Sequence, residues 1–75
     1  MPKGVVEYIV KSIVDSPQLV SVAQRSEDSR VILEIHVDQR DRGKVIGKGG
    51  KTIRSIRAIA SLVSPETDLF VDVAK

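Results

Sequence analysis

The chain has 75 residues and no cysteine, so it has room for one domain and cannot form a disulfide or a thiolate metal site. Its 12 basic and 10 acidic residues give a net charge of +2, and no apolar run approaches the ~20 residues that span a bilayer. The charged N-terminal segment also does not fit a signal peptide. We therefore expect a soluble cytoplasmic protein without a membrane partner, in which oligomerisation can supplement a small core.

The first half of the chain predicts one helix and two strands. Residues 5–14 have the apolar spacing of an amphipathic helix, and Pro17 ends it because proline disfavours helical conformation in the preceding residue. Residues 19–24 predict a short strand, and residues 26–29 predict a polar turn. Residues 30–38 form the clearest strand because their apolar residues alternate. One face of that strand carries Val31, Leu33, Ile35 and Val37, and the other carries Ile32, Glu34, His36 and Asp38.

The second half predicts two helices and one strand. Asp38 is a candidate N-cap for a short helix that runs through Ile46, and residues 47–50 interrupt the helical pattern. Residues 51–63 predict a longer helix, and residues 69–74 predict the last strand. The apolar stripe expected on the longer helix consists of Ile53, Ile56, Ala60 and Val63. The apolar face expected on the last strand consists of Leu69, Val71 and Val73.

This order predicts an α+β fold with the sequence α-β-β-α-α-β. The first two strands are close enough for a hairpin, whereas the helical crossover before the third predicts a parallel, right-handed connection. We expect a three-stranded mixed sheet with the strand of residues 30–38 in the centre. All three helices should pack on one face of that sheet.

A glycine-framed basic loop between the last two helices is the most informative motif. Gly47 and Gly50 form a G-x-x-G frame, and the missing Cβ lets another backbone approach closely. The N–H groups that open the following helix carry the positive end of its dipole, and Lys48 and Lys51 add charge. This chemistry suits an extended anionic backbone.

Positive charge is concentrated around the loop. Residues 39–57 contain seven basic residues and one acid, Asp41, for a net charge of +6, whereas five basic and nine acidic residues elsewhere give −4. A basic surface on an otherwise acidic small domain favours nucleic acid over a membrane. The alternative interpretation is a solvated helix face rich in lysine and arginine.

The element order and the loop position together resemble a type II KH domain, which would occupy residues 1–75. Residues 33–57, with the pattern V-I-G-basic-x-G-basic-x-I, resemble the KhpA family of small bacterial single-KH RNA-binding proteins. The resemblance implies a cytoplasmic protein that binds single-stranded RNA and pairs with itself or with a larger KhpB/Jag-type KH protein. It also implies RNA chaperoning and post-transcriptional control linked to cell shape and cell-wall synthesis.

KH domains clamp about four nucleotides of single strand with this loop. The loop would hold the sugar-phosphate backbone, nearby cations would attract phosphates, and apolar side chains would floor a groove for the bases, although each of those could equally be ordinary core. The expected RNA contacts are Lys44, Val45, Ile46, Gly47, Lys48, Gly49, Gly50, Lys51, Thr52, Ile53 and Arg54.

Aromatic side chains for base stacking are nearly absent. Tyr8 is one of the two, and Phe70, the other, is out of phase with the apolar face of the last strand, which would place it on the open face of the sheet. Stacking on aromatics is worth roughly 1–3 kcal/mol per base, so we expect weak, salt-sensitive binding with modest sequence preference. Dimerisation would improve the affinity through effective concentration.

The last helix has more apolar residues than one stripe needs. The additional ones, Ile59 and Leu62, predict either a dimer interface or a wide core face.

No enzymatic, metal or cofactor site is expected. Gly50, Lys51 and Thr52 resemble the end of a P-loop, but Val45 stands where that motif requires glycine. His36 is the one histidine of the chain and fits a solvated strand position better than acid–base chemistry.

Two alternative functions remain open. One is a KH-fold dimerisation module whose partner makes most RNA contacts, and the other is single-stranded DNA binding, which differs only in contacts to the 2′-OH.

Overall fold

The computed structural model describes residues 2–75, and only Met1 of the predicted domain lies outside the described residues. The element order α-β-β-α-α-β is confirmed. The helices and strands are α1 (Pro2–Ile13), β1 (Ser21–Glu27), β2 (Arg30–His36), α2 (Arg42–Ile46), α3 (Lys51–Val63) and β3 (Leu69–Val73). Short 3-10 turns precede β1, α2 and α3, at Pro17–Leu19, Gln39–Asp41 and Lys48–Gly50.

The first strand lies further along the chain than predicted. Pro17 starts a 3-10 turn instead of leading directly into a strand, so β1 begins at Ser21. The hairpin turn takes only two residues, Asp28 and Ser29, whose φ angles are 49° and 68°. Two consecutive positive φ values match the twist of the flanking strands, and Glu27 therefore still pairs with Arg30.

The sheet has the order β1-β2-β3, with β2 in the centre as predicted. The β1–β2 pair is antiparallel, with Val22 opposite Ile35. The β2–β3 pair is parallel, with Leu33 opposite Val71. The mixed three-stranded sheet is thereby confirmed, and β1 and β3 are its two edges.

All three helices pack on one face of the sheet, as predicted. Side chains from every helix and strand form one buried cluster, which is the hydrophobic core. Val63 is an exception to the predicted stripe on α3. It is 42% exposed because it lies in the final turn, beyond Ala60, the last buried residue of the helix. The cluster consists of Val6, Val10, Val20, Val22, Leu33, Ile35, Val45, Ile53, Ile56, Ala60, Val71 and Val73.

The single acid of the basic segment, Asp41, is a buried structural group. Its side chain is almost fully enclosed, and its two carboxylate oxygens accept the backbone N–H groups of Asp15 at 3.2 Å and Ser16 at 3.0 Å. These bonds tie the connection after α1 to the start of α2.

No helix within residues 2–75 has the length and apolar character needed to cross a membrane.

The Asp41 contacts lead to a prediction about stability. In Asp41→Asn the side-chain amide would oppose one of the two backbone donors, and a buried donor left without an acceptor costs about 1–3 kcal/mol. We expect the free energy of unfolding, measured by urea denaturation at fixed protein concentration, to fall by that amount. Glu66→Gln removes the same charge at an exposed site and should change stability by less than about 0.5 kcal/mol. Equal effects of the two substitutions would contradict this role of Asp41.

Candidate nucleic-acid interface

The backbone of the loop between α2 and α3 requires glycine at its first position. Gly47 has φ 78° and ψ 164°, a region that is essentially restricted to glycine. There is also no room for a side chain, since a Cβ at Gly47 would overlap the Thr52 hydroxyl and lie 2.7 Å from the Thr52 backbone nitrogen. Conformation and space therefore both exclude any other residue at this position.

The next two glycines turn the chain into α3. Gly49 (φ 64°) and Gly50 (φ 77°) both have left-handed conformations, and the Gly50 N–H donates to the Gly47 carbonyl at 3.0 Å. Gly50 is the N-cap of α3 and supplies no side-chain acceptor for the first N–H groups of that helix. A Cβ at Gly49 would meet no other atom within 4 Å. The loop therefore opens to solvent at the positive end of the α3 dipole.

Three cations surround this helix end without a carboxylate partner. Lys48, Lys51 and Arg54 are exposed, and within residues 2–75 no carboxylate oxygen forms an ion pair with any of them. The Arg54 guanidinium donates to the Gly49 carbonyl at 2.7 Å, so it also holds the loop against the first turns of α3. This arrangement can attract and orient an anionic group.

Lys44 and Arg40 are paired with acids, whereas the Nε of Arg42 donates to the Ala74 carbonyl at 2.9 Å. The Lys44 Nζ lies 2.6 Å from an Asp15 carboxylate oxygen, so a phosphate would have to compete for it. Arg40 donates to Asp38 at 2.9 Å, and this hydrogen bond lowers the pKa of the Asp38 carboxyl and raises the pKa of Arg40. Asp38 acts as a cap, since its carboxylate accepts the Arg40 backbone N–H at 3.0 Å, but it caps the 3-10 turn Gln39–Asp41 that precedes α2 and not α2 itself, whose N-cap is Asp41.

The predicted apolar groove residues differ in what they can offer a base. Val45 is fully buried and Ile53 is 6% exposed, so both belong to the core. Ile46 is half-buried, at the edge of that core, and has side-chain surface available. Thr52 is half-buried against Gly47.

Arg57 is a further basic side chain on α3, although it is not among the RNA contacts predicted from the sequence. Its Nε donates to the Val71 carbonyl at 2.6 Å, on the free edge of β3, and its guanidinium lies over the Phe70 ring, 4.8 Å from the ring centre. Arg57 follows Lys51 and Arg54 at intervals of three residues, so neighbouring side chains in this row are adjacent on α3 and the row turns about 120° around the helix. That spacing was a signal available in the sequence.

The remaining candidates lie away from the loop. Ile59 and Leu62 are 41% and 80% exposed, so neither belongs to the core of the single chain. His36 contacts the Glu34 carboxylate at 3.1 Å on an exposed strand surface. Residues 2–75 contain no cluster of three side chains suited to holding a metal ion.

The loop geometry predicts unequal costs for alanine at its glycines. Gly47→Ala should lower the free energy of unfolding by about 2 kcal/mol or more, since it combines a strained backbone with overlap on Thr52. Gly49→Ala meets open space and should cost only about 1 kcal/mol, for the left-handed conformation alone. Urea denaturation of both variants measures the difference, and equal costs would contradict the packing described for Gly47.

The chain is similar to known proteins along most of its length. A family model described as KhpA/KhpB, KH domain, matches residues 3–73. No solved structure matches the chain. A protein of Streptomyces coelicolor named RNA-binding protein KhpA is 40% identical over 63 residues, which cover 84% of this chain and 80% of the relative.

Two further relatives carry the same name. The one from Clostridium perfringens is 44% identical over 57 residues, 76% of each chain, and the one from Oceanobacillus iheyensis is 34% identical over 73 residues, 95% of this chain and 97% of the relative. This is a family of RNA-binding proteins and not of enzymes. The match along nearly the whole chain, together with the fold and the glycine loop, shows that the chain belongs to the KhpA/KhpB family of KH domains.

Proposed function

We propose that this protein binds single-stranded RNA in the cytoplasm and holds the sugar-phosphate backbone at the Gly47–Gly50 loop. The proposal rests on three cations that have no carboxylate partner, Lys48, Lys51 and Arg54. They surround the start of α3, where no side chain caps the first N–H groups of the helix. The loop glycines let a phosphate approach the main chain, and the relatives' name, RNA-binding protein, supports RNA as the ligand.

The residues next to the loop have different roles in RNA binding. Ile46 and Thr52 border the loop and offer partly exposed surface to the sugar or base of a bound nucleotide, while Lys44 adds charge once its contact with Asp15 is exchanged for one with phosphate. Val45 and Ile53 act from the core, by fixing the two helix ends on either side of the loop. RNA chaperoning and post-transcriptional control linked to cell shape and cell-wall synthesis are the biological roles that the family resemblance suggests.

Such a site predicts weak and salt-sensitive affinity. Three phosphate-neutralising cations on a single strand give a slope of about −2 for the logarithm of the binding constant against the logarithm of salt concentration. With little aromatic stacking available, phosphate contacts supply most of the affinity, and these contacts position the strand but carry no sequence information.

A charge reversal in the loop tests the proposal. Lys48→Asp/Gly49→Asp places two carboxylates beside the phosphate position and should reduce affinity for a fluorescent single-stranded RNA pool at least about tenfold, since it removes one cation and adds two anions. Fluorescence anisotropy over a salt series measures this. Aspartate tolerates the left-handed conformation of Gly49 better than most residues, and a Cβ there meets open space.

The matched control is Lys48→Asn/Gly49→Asn, which has nearly the same shape and backbone strain without negative charge. It should retain appreciably more affinity than the aspartate variant and show a shallower salt slope than the unmodified protein. If the aspartate variant is folded and binds RNA as well as the unmodified protein does, the loop is not the RNA site.

We also propose that Ile59 and Leu62 form the contact surface of a homodimer or of a complex with a larger KhpB/Jag-type KH protein. Their exposed apolar surface on α3 is the specific observation that favours this interaction. The same exposed surface favours a second candidate function, that of a dimerisation module whose partner makes most of the RNA contacts.

Single-stranded DNA offered as a competitor distinguishes RNA binding from general single-strand binding.

The dimer contact can be tested by one substitution and its control. Ile59→Glu would bury a charge in the interface and should give a folded monomer by light scattering. Ser61→Glu adds the same charge on an exposed position of α3, about 160° around the helix from Ile59, and should leave the oligomeric state unchanged. A dimer that persists in Ile59→Glu would reject this surface.

A further inference from the structure

Arg57 is held in one orientation by contacts with three groups on β3. Its Nε donates to the Val71 carbonyl at 2.6 Å, its guanidinium lies 4.8 Å from the centre of the Phe70 ring, and one terminal nitrogen lies 3.8 Å from an Asp72 carboxylate oxygen. Arginine has a flat group with five N–H donors, and only the Nε donor is used by the Val71 carbonyl. A planar donor edge therefore remains beside the free edge of β3.

The charge environment of Arg57 differs from that of the loop cations. Lys48, Lys51 and Arg54 have no carboxylate partner, whereas Asp72 partly neutralises Arg57 and would repel a phosphate. Asp72 is itself held in place, since its Oδ1 accepts the Val73 N–H at 2.9 Å. A fixed donor group beside a fixed acceptor group is poorly suited to a phosphate and well suited to the edge of a base, where donors and acceptors alternate.

The position of Arg57 is within reach of a strand held at the loop. It lies six residues after Lys51, which is about 9 Å along the axis of α3 and about 120° around it, and Arg54 lies between them. Four nucleotides at about 3.4 Å or more each cover that distance. A base that follows the phosphates bound at the loop can therefore meet the Arg57 side chain.

Among the bases, guanine matches this arrangement best. Its O6 and N7 are two neighbouring acceptors that an arginine fork contacts in a bidentate manner, and this is the commonest specific contact of arginine with a base. In single-stranded RNA both the Hoogsteen and the Watson–Crick edges are accessible. The neighbouring Asp72 carboxylate can accept an N–H of the same base.

We propose that Arg57, oriented by Phe70 and the Val71 carbonyl and flanked by Asp72, selects guanine in the RNA strand that the loop holds. This inference rests on the proposed RNA-binding function and adds a base preference to it. The cations of this surface have two roles: Lys48, Lys51 and Arg54 position the RNA backbone, and Arg57 recognises a base.

The test uses oligouridylate strands that carry one central substitution. We expect the unmodified protein to bind the guanosine strand about tenfold more tightly than the adenosine strand, as measured by fluorescence anisotropy at low salt. The 7-deazaguanosine strand, which lacks the N7 acceptor, should lose most of this preference, whereas inosine, which keeps O6 and N7, should retain it.

Two variants separate base reading from charge. Arg57→Lys keeps the charge but loses the planar fork, so its affinity for the guanosine strand should fall to its affinity for the adenosine strand and the preference should be lost. Arg30→Lys is the matched control, because Arg30 lies 5.8 Å from the centre of the same Phe70 ring but pairs with Asp68. It should keep the preference. Circular dichroism verifies that both variants are folded.

The outcomes distinguish the two proposals. Equal affinity for the guanosine and adenosine strands, a preference for cytidine, or a guanosine preference that survives Arg57→Lys would overturn the role of Arg57 while leaving RNA binding intact. No binding to any strand, or binding that is unchanged in Lys48→Asp/Gly49→Asp, would overturn the proposed function and this inference together.

Discussion

The backbone conformation at Gly47 is the constraint on which the candidate site depends. α2 ends and α3 begins within four residues, and the chain can reverse so sharply because its three loop glycines have positive φ angles. Val45 and Ile53, on either side of the reversal, are both buried in the core. The packing of the two helices therefore fixes the loop, and the loop in turn leaves the start of α3 open to solvent.

Ion pairing decides which basic residues remain available to a ligand. Arg40 and Lys44 are paired with Asp38 and Asp15, and the Lys44 contact, with the buried Asp41 carboxylate, joins α2 to the connection after α1. Asp15 and Asp41 therefore stabilise contacts between parts of the chain that are distant in sequence. The exposed cations Lys48, Lys51 and Arg54 have no carboxylate partner and lie next to the helix dipole, where a phosphate gains from both at once.

Local patterns predicted most of the fold and the centre of the site. The bounds of α3 follow from its apolar spacing and from Ser64 and Pro65, which end it, and the central position of β2 follows from its alternation and from the crossover rule. Contacts between residues distant in sequence could not be predicted in the same way. No local pattern shows that Lys44 would meet Asp15, or that Arg57 would reach over the edge of β3 to the Val71 carbonyl, because both depend on how the helices are placed on the sheet.

The same limit explains the differences in the apolar surface. Val63 has the right phase for the core but lies beyond the last buried turn of α3, whereas Ile32, on the nominally open face of the sheet, is only 9% exposed and pairs with Phe70 across the strands. Periodicity gives the direction of a side chain but does not tell how far the neighbouring elements extend over it.

The most direct measurement is a titration of the isotopically labelled protein with a single-stranded RNA octamer, followed through its backbone amide resonances. We expect the largest shifts on the amides of the Gly47–Gly50 loop and the first turn of α3, with smaller ones towards Arg57 and β3. Shifts confined to α1 or to the β1–β2 hairpin, with the loop amides unchanged, would contradict this expectation.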